Sequence, residues 1–260
     1  MHFFQTIYVI WQRELIRYLR DKTRIFSSLL QPLMFLAIFG VGLQSTLSLT
    51  DIGFDFIQFM FPGIIAMSVM GVAFFSTIST VWDREFGFLK EILVAPVPRS
   101  AIAIGKTFGA TTIAALQAVI LFLLAPVIGL RLSVSTLPAL ALIIVLLAFS
   151  ISGLGLLIAS RMRTTESFGL LMQVLVFPMF FLSGAFFPLT SVPFWMSAVA
   201  HLNPLSYGVD AMRQVMLSGQ VSDVVLAQIA VHSVPADILF LTVFSAVMVL
   251  LAVLAFSRRE

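Results

Sequence analysis

Long stretches of this chain run for some twenty residues with scarcely an ionisable side chain, and they leave it few folds to choose from. Residues 25–44, 59–80, 107–130, 137–160, 168–187 and 236–256 contain one charged side chain between them, Asp237. A helix of about 20 residues rising 1.5 Å each crosses the ~30 Å hydrocarbon core of a bilayer. In lipid the backbone must satisfy its own polar groups, so such stretches fold as helices. Of the 260 residues, 60% are hydrophobic and only 10% charged, where a soluble domain carries about 25%. The expected fold is therefore an all-α membrane protein with six transmembrane helices over residues 25–256. Cysteine is absent, which excludes disulfides and thiolate metal sites. No cleavable signal peptide is expected, because basic residues precede the first apolar run and no small-residue cleavage site follows a short apolar core.

Charge sets the orientation. Six crossings put both ends of the chain on one side. The segments on that side hold Arg13, Arg17, Arg20, Lys22, Arg24, Arg84, Lys90, Arg99, Lys106, Arg161, Arg163, Arg258 and Arg259, which is 13 of the 15 Lys and Arg residues. Only Arg131 and Arg213 fall on the other. Cytoplasmic loops carry such an excess, so both termini and the tail 257–260 are expected in the cytoplasm of a bacterial or archaeal inner membrane. The same clustering beside spans explains the net charge of +3 without nucleic acid.

Three segments outside the spans have character of their own. Residues 1–24 read as a basic amphipathic helix in the interface plane, with Phe4, Tyr8, Trp11, Leu15, Tyr18 and Leu19 near one face and Arg13, Arg17 and Arg20 opposite. Residues 184–235 are aromatic but broken by Pro188, Pro193, Pro204, Gly219 and Pro235; short exterior helices at headgroup level or re-entering the outer leaflet are expected there. Residues 81–99 form a charged, half-apolar island between two spans. Read as a helix over about 82–95, they put Trp82, Phe86, Leu89 and Leu93 on one stripe, with Asp83, Arg84, Lys90 and Glu91 off it. Pro96 and Pro98 stop it.

The missing chemistry narrows the function. Proton-coupled carriers and intramembrane acid–base enzymes need ionisable groups inside the spans; here the spans hold almost none, and their polar side chains are neutral, Gln31, Ser68, Ser76, Thr77, Thr111, Gln117, Ser150 and Gln173 among them. Lys106 and Asp237 are expected at span ends. Gly105-Lys106-Thr107 imitates the end of a phosphate-binding loop, but the first glycine of that motif would fall on Ser100 and no strand precedes it. The chain is expected to bind no nucleotide and no cofactor of its own, and not to be an enzyme. Uphill transport would then draw its energy from another subunit.

Two groups of residues carry a family resemblance. Phe61-Pro62-Gly63 with Asp83-Arg84-Glu85 and Leu89-Lys90-Glu91-Ile92-Leu93-Val94-Ala95-Pro96-Val97-Pro98-Arg99 is the first. Phe181-Leu182-Ser183-Gly184-Ala185-Phe186-Phe187-Pro188 followed by His201-Leu202-Asn203-Pro204-Leu205-Ser206-Tyr207 is the second. Together they resemble the type-2 ABC exporter permeases, nearest to the daunorubicin-resistance-like and nodulation-exporter-like membrane subunits. The resemblance implies a homodimer with two ATP-binding subunits, which hold the ATP and Mg. It makes the 82–95 loop a coupling helix seated on the ATPase: Trp82, Phe86 and Leu89 enter an apolar cleft, while Arg84, Glu85, Lys90 and Glu91 pair at its rim. It also places the first and fifth spans along the translocation path, where Phe35, Phe39, Gln173, Phe177 and Phe181 are the candidate lining residues. The implied function is outward transport of a hydrophobic or amphipathic substrate such as a drug, a lipid or a lipid-linked glycan. The alternative is a stand-alone six-span carrier or channel with no ATPase partner.

Overall fold

The computed structural model of the chain describes residues 3–44, 56–88, 97–130 and 133–258, and among these there is no β-strand. The helices are α1 (Phe3–Arg20), α2 (Lys22–Gln44), α3 (Phe56–Glu85), α4 (Arg99–Phe122), α5 (Leu137–Ala159), α6 (Thr165–Phe181), α7 (Phe194–Ala200), α8 (Pro204–Leu217), α9 (Asp223–Ile229) and α10 (Val234–Arg258). Among the described residues, four stretches are long and apolar enough to cross a membrane: Phe56–Glu85, Arg99–Phe122, Val134–Ala159 and Val224–Phe256. The other two expected crossings fall on α2, which runs to the edge of its described segment at Gln44, and on α6, an apolar helix of 17 residues.

Burial shows what surrounds the bundle. Helix α3 lies at the centre against α2, α4, α5, α6 and α8, and 83% of its most apolar stretch is covered. The Val224–Phe256 stretch is the most apolar of the four, yet only 22% of it is covered. Water would force the reverse order, because exposed apolar surface costs about 25 cal/mol per Å². A bundle whose most apolar helix faces outward is built for a hydrocarbon solvent.

Several boundaries differ from those expected. The third span begins at Arg99 rather than 107, because Pro98 takes an extended conformation (φ −63°, ψ 128°) and opens the helix directly after it. Lys106 therefore sits two turns inside α4 instead of at its mouth. The helix ends at Phe122, and Pro126 lies in a separate 3₁₀ turn, Ala125–Ile128. Helix α6 ends at Phe181, three residues past Pro178, rather than at 187. The expected single helix over 82–95 is also divided. Residues 82–85 are the last turn of α3, and Gly87, at φ +81°, breaks the helical course beyond them, since a left-handed residue cannot continue a right-handed helix. Leu89, Lys90, Glu91 and Leu93 lie outside the described residues.

Helix α1 buries a face that overlaps the expected apolar one only in part, at Tyr18. The covered stripe is Thr6, Ile10, Glu14 and Tyr18, while Phe4, Tyr8 and Leu19 are exposed. The partner of that stripe is α4. Gly105 and Gly109, one turn apart, let the helices meet: a Cβ on Gly105 would stand 2.9 Å from Cβ of Ile10, and one on Gly109 would stand 2.8 Å from Cβ of Glu14. Small residues four apart permit such close helix contact in membranes. Trp11 Nε1 donates to Thr112 Oγ1 (3.0 Å) and the Tyr18 hydroxyl to Gln117 Oε1 (3.2 Å), so successive turns of α1 are tied to successive turns of α4.

Candidate functional site

Three buried charges converge at the end of α3. Asp83, Lys106 and Glu14 are each nearly inaccessible, with 6%, 3% and 5% of their surface exposed. Lys106 Nζ lies 2.7 Å from Asp83 Oδ2 and 3.3 Å from Glu14 Oε1. Arg13 donates to both carboxylates. Burial alone would push the Glu14 carboxyl up. Lys106 and Arg13 outweigh it and hold the group below its ordinary value of 4.5. These charges come from α1, α3 and α4, so their pairing fixes the relative positions of the three helices.

The four residues that close α3 each reach a different neighbour. Trp82 lies beneath the Arg17 guanidinium of α1, 4.8 Å from the ring centroid, a cation–π contact. Asp83 holds Lys106 of α4. Arg84 Nη1 donates to the carbonyls of Ala159 (3.1 Å) and Met162 (2.6 Å), capping the C-terminus of α5, whose last carbonyls have no partner within the helix. Glu85 Oε2 accepts the backbone N–H of Thr165 (2.9 Å) at the start of α6. Trp82, Arg84 and Glu85, expected to face a partner, thus each make a contact within the chain, with Trp82 and Arg84 half-buried and Glu85 exposed. Phe86 and the neighbouring Phe88, which sequence reasoning did not single out, are 76% and 57% exposed. Phe88 also borders an open cleft with Arg13, Arg17 and Arg20 of α1.

A cavity of about 420 Å³ opens beside this junction, between α1, α2, α3 and α6. Tyr18, Arg24, Gln31, Met67, Phe75 and Trp82 are among its walls. Arg24 Nη2 donates to Ser76 Oγ (3.2 Å) and its guanidinium lies 5.6 Å from the Tyr18 ring centroid. The lining is mostly apolar with one cation. Binding sites commonly have that composition: hydrophobic walls bury the ligand and a few polar groups orient it.

Four of the five expected path residues come together. Phe35 and Phe39 of α2 stack (5.3 Å), as do Phe177 and Phe181 of α6 (6.0 Å). Phe186 joins the pairs, 5.5 Å from Phe39 and 5.6 Å from Phe181. Gln173 lies one turn before Phe177 on α6, exposed and outside that cluster.

At the opposite end of α3 the two quoted motifs meet. A Cβ on Gly63 would stand 2.5 Å from Cβ of Ala185, so Phe61-Pro62-Gly63 packs directly on the loop after α6. Asn203 Nδ2 donates to the Met179 carbonyl (2.6 Å) and its side chain accepts the Leu205 N–H, starting α8. The deeply buried Arg213 donates to the carbonyls of Gly184 (2.7 Å) and Phe59 (3.3 Å), with its guanidinium 3.8 Å from the Phe59 ring centroid. Burial lowers this arginine to about 10.

A lipid-facing helical bundle, with an internally paired charge junction at one end and a motif-built clasp at the other, defines a polytopic membrane subunit. The sequence pattern of the ABC-2 type transporter family matches residues 5–217, and the chain belongs to that family. It is similar to the putative transport permease ycf38 of Cyanophora paradoxa, 29% identical over 81% of this chain and 74% of the relative. It is similar to the inner membrane transport permease YadH of Escherichia coli K12, 28% identical over 78% of this chain and 80% of the relative. It is also similar to nodulation protein J of Rhizobium leguminosarum bv. viciae, 26% identical over 84% of each. The chain is thus a membrane permease subunit of an ABC transporter, and the family implies an ATP-binding partner.

Proposed function

We propose that this subunit forms the membrane half of an ATP-driven exporter: a homodimer with six spans per chain and both termini in the cytoplasm, carrying two separate ATP-binding subunits, which hold the ATP and Mg. The observation that carries this reading is the end of α3. Four consecutive side chains, Trp82 to Glu85, engage α1, α4, α5 and α6, and directly beyond them Phe86 and Phe88 are exposed. A partner that grips Phe86, Phe88 and the segment after them moves four helices together. Leu89, Lys90 and Glu91, the residues next in sequence, are assigned the same docking role on the family resemblance. Truncating a buried aromatic anchor costs an interface about 2 kcal/mol or more.

The cargo enters from the cytoplasmic side. The cavity offers apolar walls and the Arg24 cation, which suits an amphipathic molecule with an anionic end: a drug, a lipid or a lipid-linked glycan. The rings of Phe35, Phe39, Phe177 and Phe181 line the onward path between α2 and α6. In proteoliposomes holding the permease and its ATP-binding subunit, Phe86→Ala lowers transport-coupled ATPase activity at least about tenfold, a loss of roughly 1.4 kcal/mol, while membrane insertion is unchanged. Unaltered coupling in Phe86→Ala and in Phe88→Ala together would remove the docking role.

A further inference from the structure

We propose that Asp210, His232 and Asp237 form a divalent transition-metal site, taking a Zn²⁺-like ion, at the end of the bundle opposite the charge junction. The three residues come from α8, the loop before α10 and the first turn of α10, and each offers a ligand atom within 4.8 Å of the others. The chemistry matches an ion that binds carboxylate oxygen and imidazole nitrogen in a three-ligand site with an open position.

The second observation is independent of the clustering. Asp237 is completely buried, and neither carboxylate oxygen receives a hydrogen bond. The nearest donor, His232 Nδ1, is 3.5 Å away, beyond a normal hydrogen bond. Asp210, 3% exposed, uses Oδ2 to accept the N–H groups of Val231 (3.0 Å) and His232 (2.9 Å), while its Oδ1 is buried without a partner. Three carboxylate oxygens in one small volume thus lack any donor, and such groups are costly to bury. The nearest cation, Arg213, gives its donors to the carbonyls of Phe59, Gly184 and Ala185. Asp237 also stands in the first turn of a helix, where the dipole favours an anion, but the dipole supplies no hydrogen bond to the two free oxygens.

The surroundings fit a built site. The two backbone bonds to Oδ2 fix the Asp210 carboxylate and aim its free oxygen. The His232 ring is held by stacking on Tyr207 (4.8 Å between centroids) and edge-on by His201 (5.2 Å). Its side chain is 26% exposed, so an ion has a route in. Once bound, the metal bridges α8 to α10 across the segment that carries α9.

The test is Zn²⁺ titration of the full chain, purified in detergent without a polyhistidine tag and stripped with EDTA, against a competing chromophoric chelator. The expected result is one Zn²⁺ per chain, a higher Tm with the metal, and affinity lowered at least about tenfold in Asp237→Asn and in Asp210→Asn, the scale typical of altered metal-site residues. Stripped wild-type protein that takes up no Zn²⁺, or Asp237→Asn that binds as wild type does, overturns the site. Should either variant fail to fold, X-ray absorption on the wild type decides. One imidazole among oxygen ligands supports the site, and two or more imidazoles place the ion elsewhere.

Discussion

Lys106→Met is the most informative single change at the charge junction. The side chain it replaces is 3% exposed and stands 2.7 Å from Asp83 and 3.3 Å from Glu14. Methionine keeps the length and removes the cation. Two buried carboxylates are then left sharing Arg13, whose side chain is one-third exposed and so only partly shielded from water. Breaking a buried ion pair by removing one partner costs about 3–5 kcal/mol, and each 1.4 kcal/mol is tenfold. The docking equilibrium of α1 on α4 should therefore shift by at least about 10² and by up to several thousand. The native chain has no cysteine, so Thr6→Cys, on the covered stripe of α1, gives one clean probe. Its maleimide labelling rate reports the fraction of α1 that is undocked. Lys106→Met should raise that rate by about two orders of magnitude, and neutralising Glu14 and Asp83 as well (Glu14→Gln, Asp83→Asn) should restore most of the protection. A rate within about threefold of the parent would refute the account of how α1 is held.

Three further outcomes follow from the same contacts. Arg84→Ala releases the end of α5, and because hydrogen bonds to charged groups contribute about 1.5–3 kcal/mol, trypsin should cut at Arg161 and Arg163 several-fold faster than in wild type. Gly63→Val places side-chain atoms where even a Cβ meets Ala185 at 2.5 Å; overpacking of this kind costs about 1–3 kcal/mol and should show as a lower Tm in detergent. Glu14 titrates below its ordinary value in the folded chain, so its contribution to stability is full above pH 4.5 and is lost as pH falls through the lowered value. Acid unfolding of Glu14→Gln, followed by tryptophan fluorescence, should accordingly have a shallower pH slope than wild type, and an equal slope would remove Glu14 from the junction.

The sequence showed much of this architecture, and what it hid has a physical cause. Apolar runs and helix breakers located α3, α5 and α10 to within a turn or two, and Pro193 and Asn203-Pro204 marked the short helices α7 and α8. The aromatic residues expected along a path on spans one and five, Phe35, Phe39, Phe177 and Phe181, do meet through Phe186. The charge junction was not legible. Hydrophobic periodicity ranks positions by apolarity, so it chose a face of α1 on which Tyr18 is covered but Phe4, Tyr8 and Leu19 are exposed, and it passed over Thr6, Ile10 and Glu14, which are covered. In a bilayer that preference inverts: apolar side chains go to lipid and polar ones to each other. Two signals pointed to the packed face, the small pair Gly105-x-x-x-Gly109 and the isolated Lys106 between them. The division at Gly87 escaped for a different reason: the apolar stripe through Trp82 and Phe86 is continuous in sequence, and only the backbone conformation shows that Trp82 faces inward while Phe86 does not.

The central claim is that energy enters the permease at the surface directly beyond α3. A photo-crosslinking amino acid placed at Phe86 or Phe88, in the full chain co-expressed with its ATP-binding subunit, tests this directly. Phe194, still more exposed but on α7 at the far end of the bundle, is the control. The account predicts an adduct of permease and ATP-binding subunit from positions 86 and 88 and none from 194. Adducts from 194 alone, or from none of the three, would contradict it.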